Sequence, residues 1–158
     1  MAIAFFSTWT TYGTWLPGDL RGWYLHGRGL QQPDAVRRFE SALLLKEDAV
    51  TLDKSQRELV EWTITKHCAI RGWELHAVNC RSNHVHVVVN AGNRGIEVPR
   101  EQFKAWSTRL LSKSARTRIE VARQHWWTDR GWDEYVDDED ALSAVVAYVR
   151  EGQQWSEP

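Results

Sequence analysis

Residues 83–90 read Asn83-His84-Val85-His86-Val87-Val88-Val89-Asn90, and both the fold and the chemistry of the chain turn on them. Valine is stiff at χ1 and packs well on a pleated surface, so the run favours extended backbone. Successive side chains of a strand point to opposite faces, which puts Val85, Val87 and Val89 on one face and His84 and His86 on the other. The valines pin the register, because a slip of one residue would expose them in order to bury the imidazoles. Just upstream, residues 73–80 form a second strand-like run, and Arg81-Ser82 reads as the turn of an antiparallel hairpin.

Working outward, residues 3–11 alternate and contain Phe5, Thr8, Trp9 and Thr10, all comfortable in a strand. Residues 13–33, GTWLPGDLRGWYLHGRGLQQP, hold half of the chain's Gly and Pro and predict a long irregular loop, a length at which loops are functional or mobile. A short helix is expected over 33–45. Asp53 can cap a longer one with Gln56 at its third position, and Val60, Ile64 and Cys68 repeat at four-residue spacing until Gly72 stops the pattern. Pro99 suits a first helical turn, after which Phe103, Trp106, Leu110 and Leu111 recur on one side to about residue 114. Residues 126–128 and 134–136 flank Asp129-Arg-Gly-Trp-Asp133 and suggest a second hairpin. A last helix runs from near Asp138 to near Gly152, with acidic residues in its first turn as the helix dipole favours. The order strand, helix, strand, strand, helix, strand, terminal helix predicts an α+β fold. The expected form is a ferredoxin-like βαββαβ sandwich, with one antiparallel sheet, helices on one face, and an added C-terminal helix.

At 158 residues and 18.4 kDa, the chain is expected to be a single domain over 1–158. Twenty basic against 21 acidic side chains leave a formal charge of -1, which excludes a polybasic protein that binds nucleic acid by net charge alone. No run approaches the roughly 18 apolar residues of a membrane span, and MAIAFFSTWTTYG lacks the pattern of a secretory signal, so the expected location is the cytoplasm. Cys68 and Cys80 are too few for a disulfide scaffold and read as reduced thiols. Ten Trp is an unusual load; aromatics pack cores, and they also stack on unpaired bases.

Two imidazoles on one strand face can share a metal ion and leave coordination positions open for a substrate oxygen; the plainer reading is two polar residues on a half-exposed strand. In the last helix Leu142, Val145, Val146 and Val149 make an apolar stripe. Tyr148 falls to the side of it, on the flank of Ala141 and Ala144, where its hydroxyl can point into a cleft or, more plainly, into water at the core edge. His26, His67, His76 and His125 have no partner spacing and receive no role.

Together these pieces resemble a known family. The segment NHVHVVV is similar to the histidine-hydrophobic-histidine (HUH) motif of single-tyrosine transposases of bacterial insertion sequences, and AYVREGQQ looks like the helix carrying their nucleophile. TYGTWLPGDLRGW and GWELHAVNCRSNHVHVVV look most like the branch called REP-associated tyrosine transposases. The resemblance runs from about residue 5 to 154. It implies a DNA strand-transfer enzyme in which Mg²⁺ or Mn²⁺, held by His84 and His86, polarises a scissile phosphate of single-stranded or hairpin DNA. Tyr148 would then form a 5′-phosphotyrosine. A phenol is protonated at neutral pH, so a nearby cation must favour the phenolate or the charge building on the phosphoryl oxygens. Relatives place a third ligand four residues after the tyrosine, where this chain has Gly152. Gln153, if Gly152 ends the helix and swings it back, is the expected ligand, with Glu151 the alternative.

A DNA partner calls for cations and stacking surfaces. Arg100, Lys104, Arg109, Lys113, Arg116, Arg118 and Arg123, less Glu101 and Glu120, give residues 100–123 a net charge of +5, expected as a phosphate-tracking face beside the active site. A solvated helix balanced by the acidic stretch 129–140 is the alternative. In the long loop, Trp15, Arg21, Trp23 and Tyr24 are candidate base contacts, or else plugs that hold the loop to the body. Monomer and homodimer both fit the resemblance. A silent hairpin-binding descendant of such an enzyme is the competing function.

Overall fold

The computed structural model describes residues 1–117 and 123–151, without the side chains of 116 and 117. The elements run β1 (Ala4–Thr10), β2 (Trp23–Leu25), β3 (Gly29–Gln31), α1 (Ala35–Leu43), α2 (Lys54–Arg71), β4 (Glu74–Cys80), β5 (His84–Asn90), α3 (Glu97–Thr117), β6 (Trp132–Val136) and α4 (Glu139–Glu151). The main sheet has the order β4-β5-β1-β6 with every neighbouring pair antiparallel, the α+β ferredoxin-like arrangement with an added terminal helix. β5 is therefore central, hydrogen-bonded on both edges and covered on both faces.

Parity in β5 separates two cores. Val85, Val87 and Val89, all fully buried, pack with Trp9, Val60, Ile64, Phe103 and Leu111 under α2 and α3. The other face carries Val88, which packs with Ala4, Ala77, Val136 and Val149 under α4. Helices thus cover both faces: the two crossover helices take the valine side, and the terminal helix takes the histidine side.

α2 is fixed at both ends. Asp53 Oδ1 accepts the Gln56 N–H while Gln56 Oε1 accepts the Asp53 N–H, and Gly72 at φ 69° closes the C-terminus in the left-handed conformation. In α3 the sheet-facing line is Phe103, Ser107, Leu111 and Ala115, at four-residue spacing. Trp106 lies off that line; it is 40% exposed and leans on His67 rather than joining the core stripe expected for it. The buried thiols of Cys68 and Cys80 are free, and burial pushes Cys68 up to about 12, which leaves both inert at neutral pH.

Three expectations need correction. The hairpin turn is Ser82-Asn83, because the Arg81 N–H already donates to the His84 carbonyl (2.8 Å). The loop 13–33 is not wholly irregular: β2 and β3 form a small ladder within it. The second hairpin does not exist. Residues 126–128 and β6 both lie along β1, through the Thr11–Trp127 bridge and the Ala4–Val136 to Thr8–Trp132 ladder, so 129–131 is a bulge between two parts of one edge. Arg130 takes φ 67° there. Gly131 has no room for a Cβ, which would meet the Thr8 carbonyl oxygen and Arg100 Cδ at 2.6 Å each. Asp-Arg-Gly is turn chemistry in either setting, which is why the local signal misleads.

Candidate functional site

The site begins with β5 parity. His84 and His86 project from the same face with ring centroids 4.8 Å apart. Asn83 Oδ1 lies 2.7 Å from His84 Nδ1, and because an amide oxygen only accepts, Nδ1 is the donor, which turns Nε2 away from Asn83. His86 is 6% exposed, and neither ring nitrogen has a hydrogen-bond partner among the described residues. Burial, reinforced by the neighbouring His84 and Arg81, pushes His86 down to about 3, so it is a neutral imidazole at physiological pH. Phe6 stacks on it at 5.5 Å and 23°, holding the ring plane.

α4 brings the phenol. Asp138 Oδ1 caps the helix by accepting the Ala141 N–H at 2.7 Å, and Glu139 and Asp140 follow in the first turn. At the other end two bonds tie the last turn to β4. Asn79 Nδ2 donates to the Val149 carbonyl (2.9 Å), one of the groups a helix leaves without an internal partner. Arg150 donates to the His76 carbonyl (3.0 Å), and His76 is the extra residue where the β4–β5 register shifts. The apolar stripe and these ties place the Tyr148 ring 5.7 Å from His86, at 67°, and 6.3 Å from Phe6. The three rings meet within one chain.

Fully buried nitrogens without partners are costly, and a divalent cation is a group that the His84–His86 pair fits. No third His, Cys, Asp or Glu joins them among the described residues. Gln153 lies outside those residues; Glu151 is the exposed last residue of α4.

The other predicted contacts scatter. α3 lies across the sheet from the imidazoles, so the basic segment is not beside the site, because the apolar face of a crossover helix must cover the valines. Arg100, 8% exposed, is ion-paired with Asp133, and burial raises the Asp133 carboxyl above its usual range in spite of that pairing. Lys104 donates to the carbonyls of Thr128 (2.8 Å) and Arg130 (2.6 Å), and burial chiefly, with Arg100 beside it, pushes it down to about 8. Both cations are engaged inside the fold. Arg109 and Lys113 are exposed on α3, the former 4.4 Å over the Trp106 ring, while the Arg116 side chain and Arg118 lie outside the described residues. Arg123 donates to the Asp48 carbonyl.

In the loop, Trp15 Nε1 donates to the Gly22 carbonyl (2.8 Å) under the Arg21 guanidinium, and Arg21 is held by Asp19. Trp23, 5% exposed, donates to the Gln32 carbonyl under Arg37. Gly18 accepts the Asp34 N–H at the cap of α1, where a Cβ would meet the Asp34 oxygen at 2.2 Å. The WLPGD segment therefore folds the loop onto α1. Sequence reasoning passed over Asn83, adjacent to the histidines, and Phe6, which strand parity in β1 puts on their face. Asn79 carried no local signal.

The family model of IS200-like transposases matches residues 41–152, from the end of α1 through α4. This chain belongs to the IS200-like transposase family. Among solved structures, a REP-associated tyrosine transposase bound to a REP hairpin aligns over 94% of this family member with a TM-score of 0.55 and 12% identity. The chain spans 66% of that protein's length, just under two thirds. A Deinococcus radiodurans R1 protein provisionally classed as a transposase aligns over 94% of the chain and 89% of its own length, with a TM-score of 0.51 and 14% identity. At such identities the likeness is one of fold. No curated protein matches the sequence.

Proposed function

We propose that this transposase-family chain is a metal-dependent single-stranded DNA endonuclease and strand transferase acting at hairpin-flanked sites. The observation that carries the reading is the Tyr148 ring set against His86, a buried neutral imidazole whose two nitrogens have no partner among the described residues. Family membership and the hairpin bound by the REP-associated structure support DNA as the substrate.

In the proposed reaction Tyr148 loses its phenolic proton and its oxygen attacks phosphorus in line with the 3′-oxygen. The P–O3′ bond breaks, and the leaving oxygen takes up a proton. The products are a 5′-phosphotyrosine and a free 3′-hydroxyl, and because one ester replaces another, a later hydroxyl can reverse the step without ATP. His84 Nε2 and a ring nitrogen of His86 would hold Mg²⁺ or Mn²⁺, which supplies positive charge to the phosphoryl and leaving oxygens. Gln153, or Glu151, is the proposed third ligand. Asn83 keeps His84 in the ligating tautomer. Phe6 and the α4 ties hold the imidazole and phenol in place, so little ordering remains at the moment of reaction. A single chain supplies these rings, so the site needs no partner subunit to bring them together.

The test is incubation of the full chain with Mn²⁺ and single-stranded hairpins drawn from the DNA around its own gene. On a denaturing gel the wild type should give a chelator-sensitive covalent band, and Tyr148→Phe should bind the same DNA without forming it. The same band in Tyr148→Phe would refute the assignment. Hairpin binding with no band under any divalent ion would favour the silent-binder reading.

A further inference from the structure

The imidazole face continues beyond the site already described. Asn79 pairs with His86, His86 with Thr8, and Thr8 with Trp132, so these four side chains form one row across all four strands. Two interstrand spacings put Trp132 about 10 Å from His86. Trp132 is 46% exposed, and Tyr24, 59% exposed, reaches over from β2 to within 5.2 Å of it, centroid to centroid. The indole N–H donates to Glu134 Oε1 at 2.8 Å, which fixes the ring plane and sets that carboxylate at the indole edge. Arg130 stands at the same corner, exposed, with its guanidinium on His26 Nδ1.

This pair differs from the loop's other aromatics. Trp15 and Trp23 are covered by guanidiniums and bonded to loop carbonyls, whereas Tyr24 and Trp132 keep about half of their surface open. Aromatic rings that leave open faces on a sheet, with a cation beside them, are the combination that holds unpaired nucleobases: a π-face is common to every base, and the cation meets the backbone.

We infer that Tyr24 and Trp132 form a stacking platform for an unpaired nucleobase within a few nucleotides of the scissile phosphate, with Arg130 beside the adjoining backbone phosphate. The inference rests on the proposed single-stranded substrate and adds a base-binding subsite to it. A clip that merely fastens the β2–β3 hairpin to the sheet is the competing role for the two rings.

The experiment measures binding of the full chain to fluorescein-labelled single strands by anisotropy, with each strand also made carrying one abasic position at a time. Trp132→Ala and Tyr24→Ala should each bind about 5- to 150-fold more weakly, the range for losing one base–aromatic stack. Trp132→Phe should recover most of the loss. One abasic position should cost the wild type a similar factor and cost Trp132→Ala nothing more. Melting temperatures should stay close to wild type. Unchanged affinity with a lowered melting temperature would overturn the platform in favour of the clip, and would leave the Tyr148 chemistry standing. Affinity lost as expected, with no covalent product from any ion, would uphold the platform and sink that chemistry. A wild type that binds no single strand would overturn both.

Discussion

His86 carries an unusual load for a buried side chain. With both nitrogens unpartnered among the described residues, its burial costs the fold on the order of 1–3 kcal/mol for each group left without a bond. An ion bound by the folded state alone would offset this by mass action. At about 100 times the dissociation constant the gain is about 2.7 kcal/mol, or roughly 5–10 °C in melting temperature at this chain length. Mn²⁺ should therefore raise the melting temperature of the wild type and leave His86→Ala and His84→Ala unmoved. An equal rise in all three would place the ion elsewhere. Arg100 makes the opposite case at the same scale. Its charge is paired with Asp133 inside the fold, so Arg100→Met should destabilise by about 3–5 kcal/mol by leaving a buried carboxylate alone. Urea denaturation reads this directly; a variant as stable as wild type would show the pair to be dispensable. The parity of His84 and His86 was legible because a strand has a period of two. The burial of Arg100 was not, because a basic residue near a helix start reads the same in either setting.

Among the elements, α4 decides whether the site exists. Its apolar stripe and acidic first turn were readable from spacing. What holds its last turn was not: Asn79 lies 70 positions away in sequence, on a strand whose partner is set by the tertiary fold. Asn79→Ala removes the donor to the Val149 carbonyl and frees the turn that carries Tyr148. We expect adduct formation to slow at least tenfold, a loss of about 1.4 kcal/mol of positioning, while DNA affinity stays near wild type. Single-turnover kinetics would separate the two; a parallel loss of affinity and rate would mark Asn79 as a binding residue instead. The false second hairpin shows the limit from the other side. Asp129-Arg-Gly131 carries a turn signal, and only the pairing of both flanks with β1 converts it to a bulge.

Across the whole molecule, the sheet divides the exposed cations of α3, Arg109 and Lys113, from the candidate site. The alternation in β5 contains the reason: crossover helices must cover the valines, so a basic helix between β5 and β6 lies opposite the imidazoles. That step was within reach of the sequence, whereas the near-neutral total charge conceals it. A short single strand lying on the imidazole face should not reach Arg109 and Lys113, and a longer hairpin can do so only by passing around the sheet edge. Reversing both charges, Arg109→Glu with Lys113→Glu, should leave short-strand affinity unchanged. For a long hairpin the double variant should flatten the salt dependence by about 0.7–0.9 logarithmic units of slope for each phosphate it no longer neutralises. Equal slopes for wild type and variant on the long substrate would remove α3 from the DNA path.

The central claim is that the Tyr148 oxygen becomes joined to DNA. Mass spectrometry of the nuclease- and protease-trimmed product formed with Mn²⁺ reads the joined residue outright. The account predicts a nucleotide-bearing peptide from α4 with the phosphate on Tyr148; a phosphate carried by another tyrosine, such as the exposed Tyr24 or Tyr135, would contradict it.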